Sequence, residues 1–210
     1  MVHPILLIRH GNHPEVGRVL SGRSEIALDA VGEAQAEALA AMLGDTPLAA
    51  IHASPRRRCR ETAARIAART GLEVATAAAL DEIDFGTFMG RGFAELKDDP
   101  DWRRWNAERD TARCPGGETM AEAVARAADF LRSLPRTDAP IACVTHCDII
   151  RGLAAAAIGL PWSRMFDLPC DPGSVTTVEV AGDAIRLVTL NARPPASSSS
   201  PRPGRTRAPD

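Results

Sequence analysis

Short apolar runs alternate with longer amphipathic stretches along the chain. Ile5-Leu6-Leu7-Ile8 is a continuous apolar run of strand length, and Ile141–Thr145 is a second. Such runs suit strands buried on both faces. Leu48–Ala53 reads as a further strand and Glu73–Ala77 as a short one. Ala34, Ala38, Leu39 and Met42 recur at helical spacing, which predicts a helix over Val31–Leu43 stopped by Gly44. Ser54 and Pro55 predict the cap and first turn of a second helix that runs to Thr70 and ends at Gly71. Glu118–Leu134 predicts a long amphipathic helix capped near Gly117 and stopped by Pro135, and Asp148–Ile158 predicts another. Val175–Val180 and Ala184–Leu190 alternate like the arms of an antiparallel hairpin turning at Ala181-Gly182-Asp183.

Alternating strand and helix signals point to an α/β layered domain. The length of 210 residues suits one such domain, placed at residues 1–191. Within it, Arg91–Arg113 is a polar insertion carrying Trp102 and Trp105, expected to form short helices over one end of the sheet. Residues 192–210 are rich in Pro, Ser, Arg and Gly and hold no large apolar side chain, so they read as a disordered tail.

Composition narrows the partners. A net charge of −2 argues for neither nucleic acid nor a membrane surface, and no apolar stretch is long enough to span a bilayer. Lys97 is the only lysine, so arginine abundance is read as a coding bias. Only arginines at strand ends or helix starts then carry functional weight. The five cysteines, Cys59, Cys114, Cys143, Cys147 and Cys170, lack paired metal-ligand spacing, and Met1 leads almost directly into the first strand. A reduced, cytoplasmic setting is expected.

Four segments carry candidate chemistry. Arg9-His10-Gly11 ends the first apolar run, delivering a phosphate-matching guanidinium and an imidazole to the carboxyl end of a sheet, where ligands of open α/β folds bind. Val144-Thr145-His146-Cys147-Asp148 repeats that logic. Ser54–Ala63 opens a helix with Arg56, Arg57 and Arg58, of which at most one or two can face an anion; Arg57 and Arg60 read as solvated. Asp81, Glu82 and Asp84 lie among apolar residues that can hold a carboxyl protonated, as a general acid requires; Asp81 reads as a cap or surface acid, and Glu82 and Asp84 compete. His3, His13 and His52 have no comparable setting and are read as structural or surface residues.

Together these segments resemble the histidine phosphatase superfamily, phosphoglycerate mutase-like branch. Leu7–Gly11 looks like its signature, Leu28–Ala36 like its Leu-x-x-x-Gly-x-x-Gln-Ala helix start, and Ser54–Ala63 like its Ser-x-x-x-Arg-x-x-x-Thr-Ala segment, which selects Arg58. Leu80–Gly90 resembles its Leu-x-Glu-x-x-Phe-Gly-x-x-x-Gly loop, which selects Glu82, and Pro115–Thr119 and Val144–His146 complete the order. The resemblance implies a three-layer α/β/α fold with a mostly parallel central sheet. It also implies a histidine acid-type phosphatase acting on a small phosphorylated metabolite through phosphohistidine at His10, with no metal or cofactor. Arg9, Arg58 and His146 would clamp the phosphoryl oxygens and Glu82 would protonate the leaving group. Ser21, Gly22 and Cys147 are counted with them as substrate contacts. Glu15-Val16 stands where the family's mutases carry Trp-Asn, which favours phosphatase over mutase; Cys147-Asp148 departs from the small residues common after the second histidine. A phosphoglycerate mutase, a catalytically weak phosphate-binding module and a metal hydrolase using His10, His146 and Asp148 are the alternatives. Monomer and homodimer both stay open.

Overall fold

The computed structural model describes residues 3–194. Its strands are β1 (His3–Arg9), β2 (Ala50–Ala53), β3 (Val74–Thr76), β4 (Ile141–Thr145), β5 (Val175–Ala181) and β6 (Ala184–Ala192). They form one sheet in the order β3-β2-β4-β1-β5-β6. Pairing is parallel from β3 to β1 and antiparallel on both sides of β5. The helices are α1 (Ala30–Leu43), α2 (Arg57–Thr70), α3 (Phe93–Leu96), α4 (Pro100–Ala107), α5 (Met120–Ser133) and α6 (Cys147–Ile158).

The sheet is covered on both faces, which accounts for the uninterrupted apolar runs of β1 and β4. Ile5, Leu7, Ile141 and Cys143 join Met120, Val124, Ile149 and Leu153 of α5 and α6 in one core. Their strand neighbours Ile8, Ala142 and Val144 point the other way, onto Leu39 of α1 and Ala63 and Ile66 of α2. The result is the expected three-layer arrangement, with β5 the strand that makes the sheet mixed.

Two expected caps are corrected. Ser54 does not cap α2: Arg56 occupies that position without a side-chain cap bond, while the Ser54 hydroxyl, two residues before it, accepts from Arg56 N–H at 3.3 Å and also binds His146 and Asp81. Thr119, not Gly117, caps α5, in a reciprocal capping box with Glu122. Gly117 instead makes a close backbone approach, since a Cβ there would lie 2.1 Å from the Asp84 carbonyl oxygen. At the chain's end β6 runs to Ala192, past the expected Leu190, and most of the segment read as a tail, 195–210, lies outside the described residues.

The Arg91–Arg113 insertion forms α3 and α4 as expected, yet it is not polar throughout. Leu96 and Trp105 are buried in the core, and Phe88 meets Trp102 edge-on, with ring centroids 5.4 Å apart. This apolar anchoring holds the insertion over the carboxyl edge of the sheet. Among the described residues, no helix is long and apolar enough to cross a membrane.

Candidate active site

Strand register brings the two histidines together. In the parallel β1–β4 pair Arg9 lies opposite Thr145, so the next residues, His10 and His146, leave the sheet side by side. The His10 backbone N–H donates to the Thr145 carbonyl at 3.1 Å, and the two rings meet edge-on with centroids 5.2 Å apart. The loop after β1 is pinned by both helices of one layer. Gly11 N–H donates to Thr62 Oγ1 of α2 at 3.1 Å, and Asn12 N–H donates to Gln35 Oε1 of α1 at 2.8 Å. Only glycine fits at residue 11, where a Cβ would lie 2.5 Å from the Gly32 carbonyl oxygen.

The hydrogen-bond network assigns the tautomers of both rings. His10 Nδ1 lies 2.8 Å from the Gly11 carbonyl and must donate to it, leaving Nε2 with a lone pair. Arg58 Nε donates to that nitrogen at 3.2 Å. Burial, then the charges of Arg58 and Arg9, hold His10 neutral, with its pKa well below 6.5. Arg58 Nη2 donates to His146 Nδ1 at 3.0 Å, so His146 carries its proton on Nε2 and donates to Ser54 Oγ at 2.7 Å. Ser54 donates onward to Asp81 Oδ1 at 3.2 Å, and Arg56 pairs with the same carboxylate at 3.1 Å. His146 is also held neutral, by burial first and by Arg58 second. The Ser24 and Gly22 carbonyls accept from Arg58 Nη1 and Nη2, which leaves one Nη1 N–H of the guanidinium without a protein partner among the described residues.

The two competing carboxyls diverge. Glu82 is buried beside the histidines, its Oε2 3.9 Å from His146 Nδ1 and its Oε1 accepting from Ile83 N–H at 3.0 Å. Its pKa is pushed up to about 8, by burial first and by the Asp148 charge second. Asp84 turns away to bind the Gly86 N–H and Arg23. Asp81, expected as a cap or surface acid, is buried at 6% exposure, where it closes the chain from His146.

A cleft of about 330 Å³ opens over these groups. Arg9, His10, Ser21, Gly22, Arg58, Glu82 and Cys147 line it. His146 is fully buried beneath and meets the others through Arg58. Ser21 faces the cleft with its hydroxyl given to Glu15 at 2.7 Å. Arg57 and Arg60 are exposed and pair with Glu61 and Glu25, as expected. Several lining residues escaped the sequence reading. His13, taken for a structural or surface residue, lines the cleft 5.4 Å from the His10 ring. Arg109 of the insertion is buried in the cleft wall, stacked between Trp105 and Phe166 and 3.7 Å from Asp148. Asp148 was visible as an acid in the first turn after His146, but its partner lies 39 residues upstream, counted from Arg109 to Asp148. Among the described residues, no group of three or more His, Cys, Asp or Glu side chains is arranged to hold a metal ion.

Two neutral imidazoles, two guanidiniums and a carboxyl of raised pKa therefore lie together at the carboxyl edge of the sheet, an arrangement that can hold a phosphoryl group. Residues 5–193 match the histidine phosphatase superfamily (branch 1), and the chain belongs to that superfamily. It is 30% identical over 193 residues to phosphoserine phosphatase 1 of Hydrogenobacter thermophilus, covering 89% of this chain and 91% of that protein. It is 31% identical over 169 residues to glucosyl-3-phosphoglycerate phosphatase of Mycobacterium tuberculosis, covering 75% and 76%. The native structure of mycobacterial glucosyl-3-phosphoglycerate phosphatase superposes with a TM-score of 0.79 at 27% identity, covering 91% of this chain and all of that one. The protein is a phosphatase of this superfamily.

Proposed function

We propose that the protein hydrolyses phosphomonoesters of small metabolites through a covalent phosphohistidine at His10, without a metal ion. The observation that carries this reading is the His10 ring itself. Nδ1–H is tied to the Gly11 carbonyl and Nε2 presents a lone pair in a buried cationic setting. In the first step that lone pair attacks phosphorus, an N–P bond forms, and the ester P–O bond breaks. Glu82 gives its proton to the departing oxygen; its raised pKa keeps that proton available at neutral pH. In the second step water attacks phosphorus, the Glu82 carboxylate takes the water's proton, and the N–P bond breaks to release inorganic phosphate and restore His10. Arg9 and Arg58, with His146 behind them, supply the charge that stabilises the transferring group. The neutral state of His10 well below pH 6.5 supports an acid-tolerant phosphatase. The aromatic and cationic outer cleft suits a compact organic leaving group, in keeping with the small phosphorylated metabolites that the relatives' names specify. A cytoplasmic setting fits the unpaired thiols.

The test is release of inorganic phosphate from a panel of phosphorylated metabolites and an aryl phosphate, before and after extensive chelation, alongside an assay for phosphoglycerate interconversion. Chelator-resistant hydrolysis with no interconversion is the expected result. Loss of activity on chelation with recovery on adding a divalent ion overturns the metal-free reading, and interconversion without net hydrolysis overturns the hydrolase reading.

A further inference from the structure

His13 is a third imidazole at the site, and the mechanism above leaves it without a task. It is 5% exposed, lines the cleft, and sits 5.4 Å from the His10 ring at an interplanar angle of 36°. The other two histidines are fully engaged: His10 Nδ1 holds the Gly11 carbonyl, and both nitrogens of His146 have partners. By contrast, His13 Nδ1 is buried with no hydrogen-bond partner among the described residues. A buried polar atom left unpaired is costly, and its persistence beside a reaction centre calls for a missing partner.

We propose that His13 is a further ligand of the transferring phosphoryl group, donating a ring N–H to one of its non-bridging oxygens. The inference deepens the phosphohistidine reading and rests on it. Unpaired nitrogens alone do not mark an imidazole as a ligand, since, among the described residues, buried His3 has two of them, but His3 lies in β1 and does not line the cleft. An imidazole that waits for a ligand oxygen leaves a nitrogen open beside the nucleophile, as His13 does. The charged surroundings agree. Arg58 and Arg9 face the ring, Asp29 opposes them more weakly, and His10 lies alongside. Burial and the two guanidiniums hold His13 neutral, with a pKa of about 4, so at working pH it offers one N–H without adding a further full charge. A phosphoryl group bound to His10 is then met by donors from Arg9 and Arg58 and by the neutral imidazole of His13.

The experiment compares wild type with His13→Ala and His13→Gln, the latter keeping an N–H donor of similar reach. It reads kcat and KM on an aryl phosphate, inhibition by orthovanadate, and thermal stability with and without orthovanadate. His13→Ala is expected to weaken orthovanadate inhibition and lower kcat/KM by about 10–100-fold, the range for one hydrogen bond to a charged group. His13→Gln is expected to recover most of the loss. Without ligand, His13→Ala should be as stable as wild type or more so, since the unpaired nitrogen is gone, while its stabilisation by orthovanadate shrinks. A His13→Ala protein that binds orthovanadate and turns over within twofold of wild type overturns the assignment alone. So does one that loses stability without ligand while its orthovanadate affinity holds, which is the mark of a structural role. A wild-type protein that neither binds orthovanadate nor forms phosphohistidine overturns the phosphohistidine reading along with it.

Discussion

Arg58 Nε donates to His10 Nε2 at 3.2 Å while Nη2 of the same guanidinium donates to His146 Nδ1 at 3.0 Å. One planar fork therefore touches both imidazoles and occupies the space that a phosphoryl group must share. On substrate binding its N–H groups can turn to the phosphoryl oxygens and free the His10 lone pair. Lysine cannot reproduce this, because an ammonium is a point charge on a flexible stem. Arg58→Lys is expected to lower kcat/KM by about 10²–10³-fold, the usual cost of losing a positioned donor to a transition-state oxygen. Steady-state kinetics on an aryl phosphate, with circular dichroism to confirm folding, decides it; a loss under threefold contradicts the role given to the fork.

Ser54 links His146 to Asp81 and is not itself one of the residues that line the cleft. Ser54→Ala leaves the buried His146 Nε2–H with only the weak acceptor Cys59 Sγ, 3.5 Å away. The expected cost is about 1–3 kcal/mol of stability, read from denaturant midpoints. Activity should fall as well, because His146 and its Arg58 contact lose their anchor. Unchanged stability together with unchanged kcat would remove this chain from the account.

Glu82 carries the pH dependence. Its folded pKa of about 8 lies above the ordinary 4.5, so its stability contribution is fully present below about 4.5 and is lost as pH rises through about 8. Relative to Glu82→Gln, wild type should lose stability across that window. Hydrolysis of an alkyl phosphate should decline as Glu82 deprotonates near pH 8. Glu82→Gln should remove that alkaline limb and slow the alkyl ester by about 10²–10⁴-fold, while a nitrophenyl ester, whose leaving group needs little help, slows far less. Asp148→Asn should move the limb to lower pH, since the Asp148 charge raises the Glu82 pKa. If Asp84→Asn produces the leaving-group-dependent loss instead, the wrong carboxyl has been assigned.

Much of the site was legible because its residues sit where strands stop. The apolar runs ending at Arg9-His10 and Thr145-His146 located both imidazoles without tertiary information, and parallel register did the rest. Glu82 and Arg58 were singled out only by the resemblance of their segments to the family's motifs, since the residues alone left Asp84 and the neighbouring arginines open. What escaped was decided by contacts remote in sequence. Ser54 reads locally as a helix cap, yet its hydroxyl is claimed by His146, 92 residues on. Asp81 looks like any loop acid until Arg56 and Ser54 close over it. Arg109 is one arginine among many, and only burial under Phe166 and beside Asp148 sets it apart. His13 follows no strand, and its place in the cleft depends on the turn that Gly11 makes against Gly32.

The central claim is that His10 Nε2 forms a covalent bond to phosphorus. Rapid acid-free quenching of wild type with a labelled phosphomonoester, followed by peptide mapping, tests it most directly. The account predicts a transient, acid-labile phosphoramidate on His10, formed and consumed at rates consistent with turnover. It also predicts that His10→Ala stays folded, forms no adduct and shows no turnover. Substantial hydrolysis by folded His10→Ala, or a kinetically competent adduct on another residue, contradicts it.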